Sequence, residues 1–171
     1  VSFVKVGIDY APEFNDGSAL TKSGSTYIFT DSKGATITFF APAGQDVSME
    51  TNLGIALVIT HSDGTVINFH HNTGSYDFFG DTYSFSRISA ISNNLGYLIK
   101  VNYASNTIDN HTTDTWFQMT GAVALNSAVE YCNPTAFSCN LTNPWPQAIY
   151  SNFNGSRPTK VTGPTGDWVD Y

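Results

Sequence analysis

The chain has 171 residues, 41 % of them apolar, 14 % aromatic and only 12 % charged, and its 14 acidic residues against 7 Lys and Arg give a formal net charge of −7. That length suits one domain with a sizeable core or two small ones. The scattered basic residues exclude a phosphate-neutralising surface and hence nucleic acid as a partner, and no apolar run approaches the roughly 18 to 20 residues of a membrane span. Ser, Thr and Asn make up about three residues in ten, a composition of β-sheet with polar outer faces.

Position 1 is Val and no basic, then apolar, leader follows it, so the expectation is a chain that has lost a leader or is a piece of a larger one. Period-two alternation then predicts strands over 25–30 (STYIFT), 35–40 (ATITFF), 54–60 (GIALVIT) and 65–70 (TVINFH). Turn signals separate them: Asp31-Ser-Lys-Gly34 and His61-Ser-Asp-Gly64, in which Asp accepts a local backbone hydrogen bond and Gly supplies positive φ. Strands over 85–91 and 97–103 flank a third turn, Asn93-Asn-Leu-Gly96. A polar stretch runs from Ala104 to Asp114, a strand-like pattern resumes over 116–129, and Gln147–Tyr150 precedes a second polar stretch through Pro158. A last hairpin, 160–171, turns at Gly163-Pro-Thr-Gly166. At most one short helix is expected, and Ala122–Tyr131 is its best candidate, although its Val residues fit a strand as well.

The turn glycines Gly34, Gly64, Gly96 and Gly166 are separated by 30, 32 and 70 residues, the last interval being about two periods with a loop inserted. Such spacing describes either a hairpin repeat, in which each unit buries its apolar face on its neighbours, or an ordinary meander. The loop holds the only two cysteines, Cys132 and Cys139, within a Pro/Asn/Thr-rich stretch. A disulfide is the expectation, because two thiols without a nearby His or further Cys cannot supply the four ligands of structural zinc. Few lysines, much Thr and Asn and this disulfide point to an extracellular or cell-surface setting. The sequons at Asn110, Asn140 and Asn154 matter only in a host that glycosylates.

The wording of the units resembles the Rhs/YD-repeat family. Tyr83-x-Phe-x-Arg87-Ile88-x-x-Ile91, the turn ending in Gly96 and the strand ending in Tyr103 are similar to its Tyr-centred unit. Val161-Thr-x-Pro164-x-Gly166 with Tyr171 is similar to its Val-Thr-Pro-Gly turn and following Tyr, and Asp63-Gly-Thr-Val-Ile-Asn-Phe69 to an upstream hairpin. The segment from Val129 through Cys132 and Cys139 to Tyr150 looks like an insertion of some bacterial members. Gly163 stands where the family has Asp, Asp167 and Trp168 where Arg or Asn is common, and the family's aspartyl self-cleavage region is not visible. The resemblance implies an all-β chain of repeated antiparallel hairpins in a twisted or spiralling sheet, used as shell, surface structure or scaffold. About four or five units do not close such a shell, so terminal strands must meet something: a parent chain, each other, or identical subunits.

Catalytic chemistry finds little footing. His61, His70, His71 and His111 accompany no Gly-x-Ser-x-Gly or His-Glu-x-x-His, and adjacent His70 and His71 point to opposite faces of a strand. Asp77 with Asp81, or Asp109 with Asp114, supply paired carboxylates of unfixed separation. Calcium over Asp109–Asp114 is the one cofactor these residues allow, and the Asp-x-Asp-x-Asp-Gly loop is missing. Trp116, Trp145 and Trp168 offer stacking faces for a glycan if exposed. The expectation is a single module over 1–171, with a less repeat-like half 1–80 and YD-like units over 81–171. It is not an enzyme: it assembles with itself or with neighbouring repeats into a fibre, tube or shell. The alternative is a carbohydrate-binding or adhesive module.

Overall fold

A computed structural model describes residues 2–7, 9–40, 55–155 and 157–170; Gly54, the first residue of a predicted strand, and Tyr171 lie outside them. Thirteen antiparallel strands form one sheet in chain order, each paired with its sequence neighbours. They are β1 (Phe3–Val6), β2 (Asp9–Pro12), β3 (Ala19–Ser23), β4 (Thr26–Thr30), β5 (Thr36–Phe40), β6 (Ile55–Thr60) and β7 (Val66–Phe78). The chain continues with β8 (Asp81–Asn93), β9 (Tyr97–Tyr103), β10 (Met119–Asn126), β11 (Gln147–Asn154), β12 (Arg157–Thr162) and β13 (Trp168–Asp170). The all-β expectation stands. The one helix among the described residues is α1 (Thr113–Phe117), whereas Ala122–Asn126, at the start of the helix candidate, belongs to β10.

All four glycine turns share one hydrogen-bond pattern. The N–H of Gly34, Gly64, Gly96 and Gly166 donates to the carbonyl three residues back, on Asp31, His61, Asn93 and Gly163. Each glycine has φ between 85° and 89°, so these are three-residue hairpin loops, a type I turn followed by a left-handed residue. Side chains complete the turns: Asp31 Oδ1 accepts from the N–H of Lys33 and Ala35, and Asn93 Oδ1 from that of Leu95 and Tyr97. The same motif begins once more at Asn126, whose Oδ1 accepts from the Ala128 N–H. Position 129 is Val rather than Gly, and there the chain leaves the turn for the cysteine loop. The doubled interval from Gly96 to Gly166 therefore contains one turn converted into an excursion.

The chain forms two compact units, Val1–Asn68 and Phe69–Tyr171. In the first, Ser18 alone among the described residues is buried. Its strand registers place Tyr10, Leu20, Lys22, Tyr27, Phe29, Ile37, Phe39 and Ile59 on one face and Thr26, Ile28, Thr30, Thr36, Thr38 and Thr60 on the other. Ring pairs Phe3–Phe29 and Tyr10–Tyr27, with centroids 6.0 and 5.8 Å apart, tie β1 and β2 to β4 across that aromatic face, reaching over the strands between them.

The second unit has a true core around β8, β9 and β10. Register puts Ala90, Ser92, Leu98, Lys100, Val123 and Leu125 on one face, and Arg87, Ser89, Ile91, Tyr97, Ile99, Val101 and Tyr103 on the other. The cysteine loop covers the first face: Ala90, Leu98 and Leu125 bury with Cys132, and Cys139, Leu141 and Trp145 pack against them. The 104–118 connection, with α1, covers the second face through Trp116.

Close approach of β10 to β11 depends on Gly121, where a Cβ would lie 2.6 Å from the Ala148 carbonyl oxygen. Gly121→Ala must push the two backbones apart and is expected to destabilise the protein by about 1–3 kcal/mol in urea unfolding. Gly163→Ala is the control, since its Cβ would meet nothing closer than 3.6 Å and its φ is ordinary; it should leave stability unchanged or raise it by about 0.4–1 kcal/mol.

Candidate functional site

Arg87 sits at the centre of the second covered face and is only 4 % exposed. Its guanidinium lies between two rings, 4.1 Å from the centroid of Tyr103 and 4.2 Å from that of Trp116. Nη1 donates to the carbonyls of Ser105 and Trp116. With no carboxylate against it among the described residues, ring faces and carbonyl dipoles stand in for a counter-ion. Tyr103 in turn donates its hydroxyl to the Ile88 carbonyl at 2.6 Å. Arg87 and Tyr103, named from the repeat motif, thus meet in one box whose lid is Trp116, and Ile88 contributes its carbonyl. Tyr83 lies further along β8, stacked at 5.6 Å on Tyr76, which stacks in turn on Phe85. Pro164 occupies the exposed β12–β13 turn.

On the opposite face, Lys100 is 1 % exposed and uses Nζ to donate to Ser89 O at 3.1 Å and to Pro134 O, inside the cysteine loop, at 2.9 Å. Burial, aided by the positive Arg87, lowers its pKa to about 8. The disulfide joins Cys132 and Cys139, closing the loop that Lys100 grips. A second clamp is Glu130, whose carboxylate accepts from Thr142 N and Oγ1, Asn143 N and Nδ2, and Trp145 Nε1. Those donors, led by the Thr142 N–H and the Trp145 indole, pull its pKa down to about 2.

The three tryptophans are not brought together. Trp116, 2 % exposed, has its ring against Arg87, Phe85 and Phe117 and offers no face to a sugar, which corrects the glycan role suggested for it. Trp145 is half-buried in the loop core and committed to Glu130. Trp168 is 57 % exposed on β13, beneath the Lys160 ammonium at 4.5 Å. His70 and His71 fall inside β7 rather than at a strand end; the His70 Nε2 pairs with Ser92 Oγ at 2.8 Å, and burial lowers both pKa values. Asp109 spends its carboxylate on the N–H groups of His111 and Thr112. Among the described residues no three His, Cys, Asp or Glu side chains come together as metal ligands, and no helix is long and apolar enough to cross a membrane.

The sequence left the terminal strands in need of a partner, and the structure gives them as β1 and β13; the β7–β8 tip escaped it. Among the described residues, β1 pairs only with β2 and β13 only with β12. The Glu13 N–H donates to Ser2 O and the Gly163 N–H to Asp167 O, which fixes the alternation of each ladder. It leaves the N–H of Phe3 and Lys5, and of Trp168 and Asp170, pointing away from the sheet. The β7–β8 hairpin ends in Phe78-Phe79-Gly80-Asp81, with Phe79 at φ 52° and Gly80 at φ 90°, a type I′ turn. Comparison with protein-family models, curated proteins and solved structures found no match.

Two outcomes test the loop clamps. Glu130 has a folded pKa below that of the unfolded chain, so its contribution is fully present above about pH 4.5 and is lost as pH falls through about 2. Subtracting the pH–stability profile of Glu130→Gln from that of wild type should therefore leave a slope confined to that window; parallel profiles would refute the clamp. Replacing both cysteines by Ser removes a closed loop of about eight residues and should cost about 2.5 kcal/mol in chain entropy, read as a lowered urea midpoint.

Proposed function

We propose that the chain is a structural, extracellular or cell-surface β-module whose terminal strands pair with further β-structure, in neighbouring copies or neighbouring repeats, to build a fibre, tube or shell. The observation that carries this reading is the pair of open edges. Unpaired strand edges are templates for other strands, and proteins that stay monomeric blunt them with charge, proline or a covering segment. Here β1 (FVKV) offers a single Lys and β13 (WVD) a single Asp. The opposite charges favour β13 of one copy against β1 of the next. That contact is heterologous, so it propagates unless the rotation closes a ring.

Three further points support the reading. Both cationic groups of the second unit's core, Arg87 and Lys100, are spent on holding loops in place. The disulfide suits an oxidising compartment. The resemblance of the Tyr83–Tyr103 unit to Rhs/YD repeats carries the same implication of a scaffold, and Arg87 and Tyr103 of that unit touch. A glycan-binding role would rest on Trp168 alone and ranks behind.

Asp170→Pro removes an outward N–H without taking a bond from the β12–β13 ladder. It should keep the wild-type circular dichroism and melting temperature while raising at least tenfold the concentration at which sedimentation velocity detects assembly. A wild type that stays a monodisperse monomer at every concentration, or a variant that assembles as wild type does, overturns the proposal.

A further inference from the structure

The β7–β8 hairpin outruns its neighbours: β6 pairs with β7 over Val66–Asn68 and β9 pairs with β8 over Ala90–Ser92. The base of the projecting arm is propped from one side, since Phe85 packs on Trp116 and Phe117 and a Cβ at Gly74 would strike Ile108 and Trp116. From Asp77 to Ser84 every residue is exposed. At the tip, the Phe79 ring is 92 % exposed and leans edge-on against Phe78 at 4.4 Å.

Phe79 is a poor choice for the turn it occupies. A type I′ turn needs positive φ at both central residues, which Asn-Gly supplies with little strain, whereas a bulky side chain in the left-handed region is disfavoured. Its ring is also nearly all in water, where it gains nothing from burial. Strain combined with an exposed aromatic ring is what a contact residue leaves behind in the unbound molecule. Asp77 and Asp81 flank the two rings, Asp77 accepting from Thr82 Oγ1 at 2.6 Å, so the tip is aromatic with an acidic border.

The complement lies on the same polypeptide. The aromatic face of the first unit carries Tyr10 against Tyr27, Phe3 against Phe29, and the exposed ammonium groups of Lys5 and Lys22, with Lys22 Nζ 5.0 Å from the Tyr27 centroid. It is an aromatic surface with a basic border. We propose that the Phe78–Phe79 tip of one copy docks on the Tyr10–Tyr27 face of a second copy, with Asp77 and Asp81 meeting Lys5 and Lys22. The contact rests on the self-assembly reading and deepens it, adding a lateral joint to the edge-to-edge one. Because tip and face are different surfaces, each copy offers one of each and the contact repeats.

Phe79→Asn installs the preferred turn pair. It should fold at least as stably as wild type while reducing association in sedimentation velocity at least tenfold, an outcome that a merely structural Phe79 would not give. Asp81→Lys and Lys22→Glu should each weaken association, and a 1:1 mixture of the two should restore it, since both tip–face pairs in the mixture are again of opposite charge. If Phe79→Asn and Asp81→Lys associate as wild type does while Asp170→Pro does not, the tip contact is refuted and edge assembly stands. If wild type never associates, both fall.

Discussion

A sheet has two faces, and among the described residues there is no second sheet and no helix longer than α1 to cover either. Where it forms a core, its own connections provide the cover. The two long excursions, 104–118 and 127–146, leave from opposite ends of β10 and fold onto opposite faces of β8, β9 and β10. Strand residues such as Ala90 and Leu98 are buried because those loops lie over them. Four features of the second unit hold these loops down: the Cys132–Cys139 bridge, Lys100 reaching Pro134, Glu130 collecting donors of Thr142, Asn143 and Trp145, and Arg87 fixed between Tyr103 and Trp116. The first unit has no comparable excursion among its described residues. Its side chains remain half-buried, held by cross-strand ring pairs rather than by a core.

Placing two cations inside such a module is costly unless each finds partners, and neither meets a carboxylate among the described residues. Arg87 finds ring faces and carbonyls; Lys100 finds carbonyls from two separate segments and becomes easier to deprotonate. Polar groups here define one loop arrangement, and Asp31 and Asp109 are tied into turns.

Much of the hairpin architecture is legible in the sequence because three-residue loops announce themselves. Asp31, Asp63 and Asn93 bond their own turn, each followed by a glycine in the left-handed region. The turns at Gly7, Gly24 and Phe79-Gly80 have no Asp or Asn directly before the turn, so the sequence gives no sign of β1, β2, β3 or the full length of the 13-residue strands β7 and β8. The helix was misplaced for a related reason. Thr113–Phe117 begins at Thr112, which makes no side-chain cap, and it is held by contacts distant in sequence, Trp116 on Arg87 and Phe117 on Phe85. The Arg87–Tyr103 pairing follows from strand register and could have been foreseen. Lys100 reaching Pro134, 34 positions away, could not, because nothing in a linear pattern tells which carbonyl a loop will present.

The proposed edge pairing joins two observations, the low charge of the chain and the outward N–H groups of β1 and β13. Amide hydrogen exchange measured on wild-type protein in dilute and in concentrated solution tests this directly. The account predicts that Phe3, Lys5, Trp168 and Asp170 exchange as free amides when dilute and become protected when concentrated, while β9 and β10 are protected in both. Equal exchange at those four amides under both conditions would contradict it.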